Sequence, residues 1–233
     1  QTRIESYVDR TIERATDGVT YSGIEHLQAG QAYLFLANHR DIVMDPAFVN
    51  YAVYHAGLPT PRIAIFGAGA IGLYLAARLS LAGLTPTLIT RPGRTLAEPL
   101  QLIEGDAAPQ PFAVRQAPAN HPQPHDVVIV ATKAHQLADA WPTLHRWLAA
   151  HGQLVLAQNG LPWWHFADAK GQLARPLRAA DPDGRLSRGV DLRQVIACVV
   201  HKSVERPAAN VVSAFAVPGD RLILGRPNGQ IDL

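Results

Sequence analysis

Short apolar runs alternate with longer apolar stretches of helical spacing through the middle of the chain. Four runs rich in β-branched and other apolar residues predict strands, at 62–66, 86–90, 126–131 and 153–157. Between them the pattern predicts helices over 70–82 and 136–150. Strands that alternate with helices are typical of a parallel sheet covered on both faces. We therefore expect an α/β fold, a Rossmann-type parallel sheet with helices on both faces.

The segments on either side of this alternation are less regular. Before it, the pattern predicts a helix over 5–16, a strand at 33–37 and a helix over 46–54, and a turn-rich break follows at 56–61. After it, the polar stretch 171–193 predicts a long loop. Later apolar runs predict strands at 194–200, 210–217 and 221–224.

Composition excludes several classes of protein. The chain has 233 residues, of which 48% are hydrophobic and 17% charged, a globular and not a disordered composition. Its net charge of +2 gives no electrostatic footprint for nucleic acid, and its single cysteine, Cys198, excludes an internal disulfide framework. Ten scattered histidines show no paired metal-ligand spacing, so we expect no metal site.

Two further observations concern membranes and targeting. The uncharged stretch 63–77 is shorter than the roughly 20 residues that a membrane-spanning helix needs. The first residues are charged and lack the apolar core of a signal peptide. We therefore expect a cytoplasmic protein without a transmembrane segment.

A glycine-rich turn follows the first of the four central strands. It fits the pattern G-x-G-x-x-G and consists of Gly67, Ala68, Gly69, Ala70, Ile71 and Gly72. Between a strand and a helix, the first glycine permits the tight turn, the second lets the backbone approach a pyrophosphate, and the third lets helix and strand pack closely. The free N–H groups of the helix would bind the phosphates. A glycine turn without a ligand is the alternative.

The end of the next strand indicates which dinucleotide the turn would bind. An NAD site usually carries Asp or Glu there, to accept a hydrogen bond from the ribose 2′-hydroxyl. This chain has Arg91 and Arg94 instead, which can form charge-assisted bonds to a 2′-phosphate. The sequence therefore favours NADP(H). Two solvated loop arginines are the alternative.

Two polar residues follow the third and fourth central strands. Lys133 comes after the strand at 126–131, and Asn159 comes after the strand at 153–157. Both positions are carboxyl ends of predicted parallel strands, where open α/β sheets bind ligands. We expect Lys133 near the cofactor, and the Asn159 amide to bond the ribose or an oxygen of the substrate.

Together these motifs resemble the ketopantoate reductase (2-dehydropantoate 2-reductase) family. The resemblance runs from about residue 61 onwards and rests on the sequences GAGAIG, LITR, TKAHQ, QNGLPWW, IACVVH, GDRL and LGRPNG. It implies that the glycine turn holds the pyrophosphate and that Arg91 binds the 2′-phosphate. It also implies that Lys133 lies near the cofactor and Asn159 near nicotinamide and substrate, and that the backbone of Ser203 touches the cofactor.

The resemblance further implies an activity. NADPH would transfer a hydride to the keto carbon of ketopantoate and give pantoate, a step of pantothenate biosynthesis, and a homodimer is possible. The family's proton donor is a lysine of a second, helical domain, a role that Lys133 does not match. We expect the NADP-binding domain at 61–226, and at 227–233 the start of a link to that helical domain, which would lie beyond the last residue.

The first sixty residues resemble a different family, the glycerolipid acyltransferases. In those enzymes an apolar strand and an Asn precede a His–Asp pair with four residues between the two. Here His39 follows Asn38 at the end of an apolar run, and Asp45 stands one position later than that spacing. Residues 1–60 are therefore expected to form a partial α/β acyltransferase-like segment. Acyl transfer with His39 and Asp45 as the catalytic pair is the alternative function, and a polar loop at His39 and Asp41 is the alternative to such a pair. A nucleotide-binding module without chemistry of its own is a third hypothesis.

Overall fold

The computed structural model describes residues 22–28, 49, 52–53, 56–57, 61–168, 170, 172–175, 177–215 and 217–227. The predicted helix over 5–16 and strand at 33–37 lie outside the described residues, as do His39 and Asp45. Within the predicted helix over 46–54, the three described residues Val49, Ala52 and Val53 are helical.

Besides these three helical residues, the described residues form eleven strands and three α-helices. The strands are β1 (Ile63–Phe66), β2 (Thr87–Thr90), β3 (Leu100–Glu104), β4 (Gln110–Phe112), β5 (Arg115–Pro118), β6 (His125–Val130), β7 (Leu148–Ala157), β8 (Val195–His201), β9 (Ser203–Ala208), β10 (Val211–Phe215) and β11 (Arg221–Gly225). The helices are α1 (Ala70–Leu81), α2 (Leu137–Leu144) and α3 (Arg185–Gly189).

Seven of these strands form a large sheet in the order β5-β2-β1-β6-β7-β8-β11. Every neighbouring pair is parallel except β8 and β11, which run antiparallel. The chain moves from β1 outwards through β2 to β5, and then returns to the other side of β1 at β6. This reversal of direction between β1 and β6 is the position at which doubly wound sheets open a crevice for a ligand.

The other four strands form a small sheet in the order β4-β3-β10-β9. Its parallel pair, β3 and β10, joins segments more than a hundred residues apart in the chain. The small sheet packs on α1, and Arg78 of the helix donates a 2.7 Å hydrogen bond to the Glu104 carboxylate at the end of β3. Since α1 lies between two sheets, six consecutive residues of it, from 72 to 77, are buried.

The two faces of the large sheet have separate apolar cores. In β1, Ile65 points into the core that α1 and the small sheet cover, whereas Ala64 points into the core that α2 and α3 cover. Adjacent residues of a strand point to opposite faces, so both are fully buried. The expected Rossmann-type sheet with helices on both faces is therefore confirmed, with the small sheet as an additional layer.

Most predicted elements agree with the structure, but two do not. The helix expected over 136–150 ends at Leu144, and β7 already begins at Leu148 because this segment pairs with β6. The loop expected over 171–193 contains α3 and a 3-10 turn over Leu192–Gln194. Strands β3, β4, β5 and β9 have no counterpart in the prediction.

Two smaller interpretations concern buried residues. Trp163 and Trp164 are 2% and 8% exposed and form an edge-to-face pair with ring centres 5.4 Å apart. They are therefore core residues. Cys198 is buried in β8, and burial raises the pKa of its thiol to about 11, so this residue belongs to the core.

Candidate functional site

A cleft of about 590 Å³ opens at the carboxyl ends of the central strands. The turns after β1, β2, β6 and β7 line it, and residues from β8 to β9 close its far side. All of these are ends of parallel strands or lie beside them, so the topology brings distant parts of the sequence to one edge. The cleft therefore lies at the switch point that the sheet order defines.

The glycine turn forms the floor of this cleft. Gly67 has a φ of 115°, and a Cβ atom there would lie only 3.0 Å from the backbone carbon of Ala131 on the neighbouring turn. A Cβ at Gly72 would lie 1.8 Å from the Gly67 carbonyl oxygen, so only glycine lets α1 start this close to β1. Gly69 differs from both, because its Cβ position has no atom within 4 Å.

The N-terminus of α1 points its free N–H groups towards the cleft region. The first helical bond runs from the Leu73 N–H to the Gly69 carbonyl at 2.9 Å. Ala68, Ala70 and Ile71 line the cleft with the glycines. The N–H groups of this first turn have no partner within the helix, which makes the turn suitable for a phosphate.

Arg91 and Arg94 line the cleft from the turn after β2, and both are exposed. The Arg94 N–H donates to the Arg91 carbonyl at 3.0 Å, which closes the turn. Further along, the Gln116 amide of β5 bonds both backbone groups of Leu96, at 2.8 and 3.1 Å. Among the described residues, no carboxylate lies within ion-pair distance of either guanidinium.

Lys133 lines the cleft from the turn after β6 and is exposed. Its backbone N–H donates to the Gln136 side-chain oxygen at 3.2 Å, which shapes the turn. The neighbouring residue Thr132 accepts two hydrogen bonds from the Gln158 amide, at 2.9 Å on its carbonyl and 3.2 Å on its hydroxyl. The ends of β6 and β7 are thereby joined.

Asn159 lines the cleft after β7, and its amide is already engaged by the backbone of β8. Its Nδ2 donates to the Val200 carbonyl at 2.9 Å, and its Oδ1 accepts from the Val200 N–H at 2.8 Å. An amide has a second N–H and a second lone pair, which these two bonds do not use. Asn159 thus positions the end of β8 and retains the capacity to bond a ligand.

Two cationic residues of the cleft have no counterpart in the sequence-based prediction. Lys202 lies between β8 and β9, and its Nζ donates to the Asp220 carboxylate at 2.6 Å and to the Phe215 carbonyl at 2.7 Å. Arg206 of β9 donates from Nη1 to the Ala68 carbonyl of the glycine turn at 2.6 Å. Lys202 follows the predicted strand at 194–200, as Lys133 and Asn159 follow theirs, so its place at the cleft could have been predicted. Arg206 offers no such signal, because β9 itself is not recognisable in the pattern.

Three further predicted site residues are Ser203, His39 and Asp45. Ser203 is exposed at the start of β9, between Lys202 and Val204, which line the cleft, and the contact of its backbone with the cofactor stays a prediction. The acyltransferase pair, His39 and Asp45, falls in the part of the chain that the structure leaves undescribed and stays a prediction. Within the described ranges, no cluster of three or more metal-ligating side chains occurs, and no helix is long and apolar enough to cross a membrane.

The sheet order and the switch-point cleft place the described chain among Rossmann-type α/β proteins. A family model described as Ketopantoate reductase PanE/ApbA matches residues 63–178. A curated 2-dehydropantoate 2-reductase from Mesorhizobium japonicum is 39% identical over 175 residues, which are 72% of this chain and 53% of the relative. The region from residue 63 onwards therefore belongs to the ketopantoate reductase family.

Solved structures agree with this assignment. A protein of Ralstonia solanacearum MolK2, described as a candidate ketopantoate reductase, is 34% identical with a TM-score of 0.62, over 72% of this chain and 53% of its own. The 2-dehydropantoate 2-reductase of Geobacter metallireducens GS-15 shares the fold, at 23% identity and a TM-score of 0.53, over 71% of this chain and 49% of its own. The chain spans about half the length of the relatives it matches.

Proposed function

We propose that residues 61–226 form the NADP(H)-binding half of a 2-dehydropantoate 2-reductase. The observation that carries this proposal is the convergence of three features at one cleft. They are the glycine turn at the start of α1, the unpaired arginines after β2, and the Lys133 turn after β6. The product of the reaction would be pantoate, which makes the enzyme part of pantothenate biosynthesis.

The residues present fit the cofactor. The open space at Gly69 admits a phosphate close to the backbone, and the N–H groups of α1 are directed at it. Arg91 and Arg94 would carry the 2′-phosphate, since a guanidinium forms charge-assisted bonds to phosphate and no described carboxylate competes for them. When bound, NADPH supplies the hydride.

The substrate end of the cleft would lie at the turns after β6 and β7. The second N–H of the Asn159 amide can donate to a keto or carboxylate oxygen while the first holds the Val200 carbonyl. Lys133 offers an exposed ammonium at the neighbouring turn. A keto acid is an anion, so the excess of cationic side chains around the cleft favours its binding.

Calorimetric titration of the 233-residue chain with NADPH and with NADH tests the cofactor half of the proposal. We expect NADPH to bind at least about tenfold more tightly, because one charge-assisted bond to the 2′-phosphate accounts for that ratio. Equal affinities would contradict the assignment of NADP(H). Absence of binding to both nucleotides would contradict the dinucleotide site itself.

Reduction of ketopantoate also needs a proton for the forming alkoxide. The resemblance assigns this proton to a lysine of a helical domain, a role that Lys133 does not match, and Lys202, which lines the cleft, is held by Asp220. We therefore expect the 233-residue chain to bind NADPH and to reduce ketopantoate at or near the background rate. Turnover of about 1–10³ per second would contradict this expectation and would reveal a proton donor among the residues present.

We also predict the oligomeric state and the cellular location of the protein. A homodimer and a cytoplasmic location accord with an enzyme of small-molecule metabolism that uses NADPH. Light scattering of the purified protein measures the first, and fractionation of cells that express it measures the second.

A further inference from the structure

Arg206 is a cation that the small sheet contributes to the cleft. It lies on β9, and its guanidinium donates from Nη1 to the Ala68 carbonyl and from Nη2 to the Ala209 carbonyl. Both partners are neutral backbone groups, so these bonds fix the side chain without compensating its charge. Its Nε is buried and has no hydrogen-bond partner among the described residues.

Lys202 is a cation of the same cleft whose charge is compensated by an ion pair. Its Nζ lies 2.6 Å from the Asp220 carboxylate, and its side chain is only 12% exposed. An ion pair of this kind has no net charge to offer to a ligand. Arg206 has no such partner, because no described carboxylate lies within ion-pair distance of it.

Arg206 is also close enough to Arg94 for the two charges to interact. The pKa of Arg206 is lowered, first because burial disfavours its charge and second because Arg94 is positive. The two guanidinium groups come from different sheets, Arg94 from the turn after β2 and Arg206 from β9, and both line the cleft. An anion between them would relieve this repulsion and use donors that the protein leaves unpaired.

We propose that Arg206 is a specificity-determining residue that, together with Arg94, binds the 2′-phosphate of NADP(H). This inference rests on the proposed cofactor and goes beyond the motif residues at the end of β2. A guanidinium has five N–H donors, and the two carbonyl contacts use only two of them. The bond to Ala68 also keeps the group beside the glycine turn, where the phosphates of a dinucleotide would lie.

The test isolates the 2′-phosphate from the rest of the cofactor. Adenosine 2′,5′-bisphosphate and adenosine 5′-monophosphate differ only in that group, so the ratio of their dissociation constants measures the preference for it. Calorimetry gives this ratio for the unaltered chain, for Arg206→Gln and for Arg206→Lys. Arg146→Gln is the matched control, because Arg146 is exposed outside the cleft and its replacement removes the same charge as Arg206→Gln.

We expect Arg206→Gln to lower the preference for the 2′-phosphate about tenfold, the loss of one charge-assisted bond. Arg206→Lys keeps the charge and loses the planar fork, so it should lower the preference about threefold. Arg146→Gln should leave the ratio unchanged. Thermal unfolding shows which variants are folded. If Arg206→Gln does not fold, the ratio of dissociation constants measured for Arg206→Lys tests the inference alone.

The outcomes separate the inference from the proposed function. If the unaltered chain shows no preference for the bisphosphate, the NADP(H) assignment fails and the inference with it. If that preference is present and both Arg206 variants retain it in full, the inference alone is wrong. If Arg206→Gln weakens both nucleotides equally, Arg206 only positions the glycine turn through Ala68, and its role in specificity is overturned.

Discussion

At the scale of single residues, three amide side chains hold the rim of the cleft. Gln116 bonds the backbone of Leu96, Gln158 bonds the turn after β6, and Asn159 bonds both backbone groups of Val200. An amide can donate and accept at once, so each can satisfy backbone groups of the turns and strand ends around the cleft. The rim is therefore fixed by side chains that carry no charge.

The charged residue of that rim with the clearest expected effect is Arg91. Replacing Arg91 by Ala should weaken binding of NADP(H) by about 1.5–3 kcal/mol, the contribution of a hydrogen bond to a charged group, and should change binding of NAD(H) little. Calorimetry with both nucleotides measures the two losses. Arg146→Ala, which removes an exposed arginine outside the cleft, is the control. Equal losses for NADP(H) and NAD(H) would show that Arg91 does not contact the 2′-phosphate.

The glycine turn offers a second comparison between single residues. Gly69→Ala should leave folding intact, because its φ of −81° suits any residue and no atom lies within 4 Å of the new Cβ. It should nevertheless weaken NADPH binding, since the methyl group occupies space that a phosphate needs. Gly72→Ala should in addition lower the free energy of unfolding by about 1–3 kcal/mol, the usual cost of overpacking. Urea unfolding and calorimetry measure both quantities, and a stable Gly72→Ala protein would contradict the close packing at Gly67.

At the scale of elements, a buried carboxylate anchors α3. Asp181 is 1% exposed and accepts hydrogen bonds from the N–H groups of Leu186 and Ser187, at 3.0 and 2.9 Å. Burial alone would raise the pKa of this carboxyl, but the hydrogen bonds from Leu186 and Ser187 outweigh it and lower the pKa. The first turn of a helix also favours a negative charge.

This anchor makes the free energy of unfolding depend on pH. A carboxyl whose pKa is lower in the folded protein stabilises it above the pKa of the unfolded chain, about 3.9, and that contribution is lost as pH falls through the folded value. Asp181→Asn should therefore cost about 1–3 kcal/mol at pH 7, and the difference from the unaltered protein should shrink below pH 4. Urea titrations at several pH values measure this. Asp183→Asn, in the same loop with a 66% exposed side chain, is the control and should cost under about 0.5 kcal/mol.

Whether an element can be predicted from the sequence depends on how its neighbours in the fold bury it or pair with it. Strands β1, β2, β6 and most of β7 are apolar runs in the middle of a sheet, so the pattern reveals them. Strand β9 cannot be recognised in this way, because it is largely exposed and contains a proline. The alanines before Gly152 favour a helix by propensity, yet pairing with β6 makes this segment the start of β7.

The same reasoning separates the predictable part of the site from the rest. The glycine turn, Arg91, Lys133 and Asn159 all follow central strands, and the carboxyl ends of parallel strands lie at one edge, so their convergence on one cleft could be predicted. Arg206 could not, because its place depends on the pairing of β9 with β10 and of β10 with β3. No local pattern encodes a contact between Arg206 and Ala68, which are 138 residues apart.

At the scale of the whole molecule, the cleft is built by two sheets. The large sheet supplies the glycine turn and the turns after β2, β6 and β7, and the small sheet supplies Arg206. The ion pair between Arg78 and Glu104, at 2.7 Å, connects α1 to the small sheet behind the cleft. Movement of the small sheet on α1 would therefore displace Arg206 from Ala68 and alter the site.

The last prediction concerns the segment before this two-sheet unit. Among the described residues, those that line the cleft fall between Phe66 and Arg206, and the family match begins at residue 63. Deleting residues 1–60 should therefore leave NADPH affinity within about tenfold, or 1.4 kcal/mol, of the unaltered chain. Calorimetry of the shortened protein measures this affinity, and circular dichroism verifies that it has folded.

The deletion removes Val53, which is buried, so some loss of thermal stability is expected even when binding is retained. A shortened protein that does not fold would show that the boundary near residue 61 is wrong and that the first sixty residues complete the core of the nucleotide-binding unit.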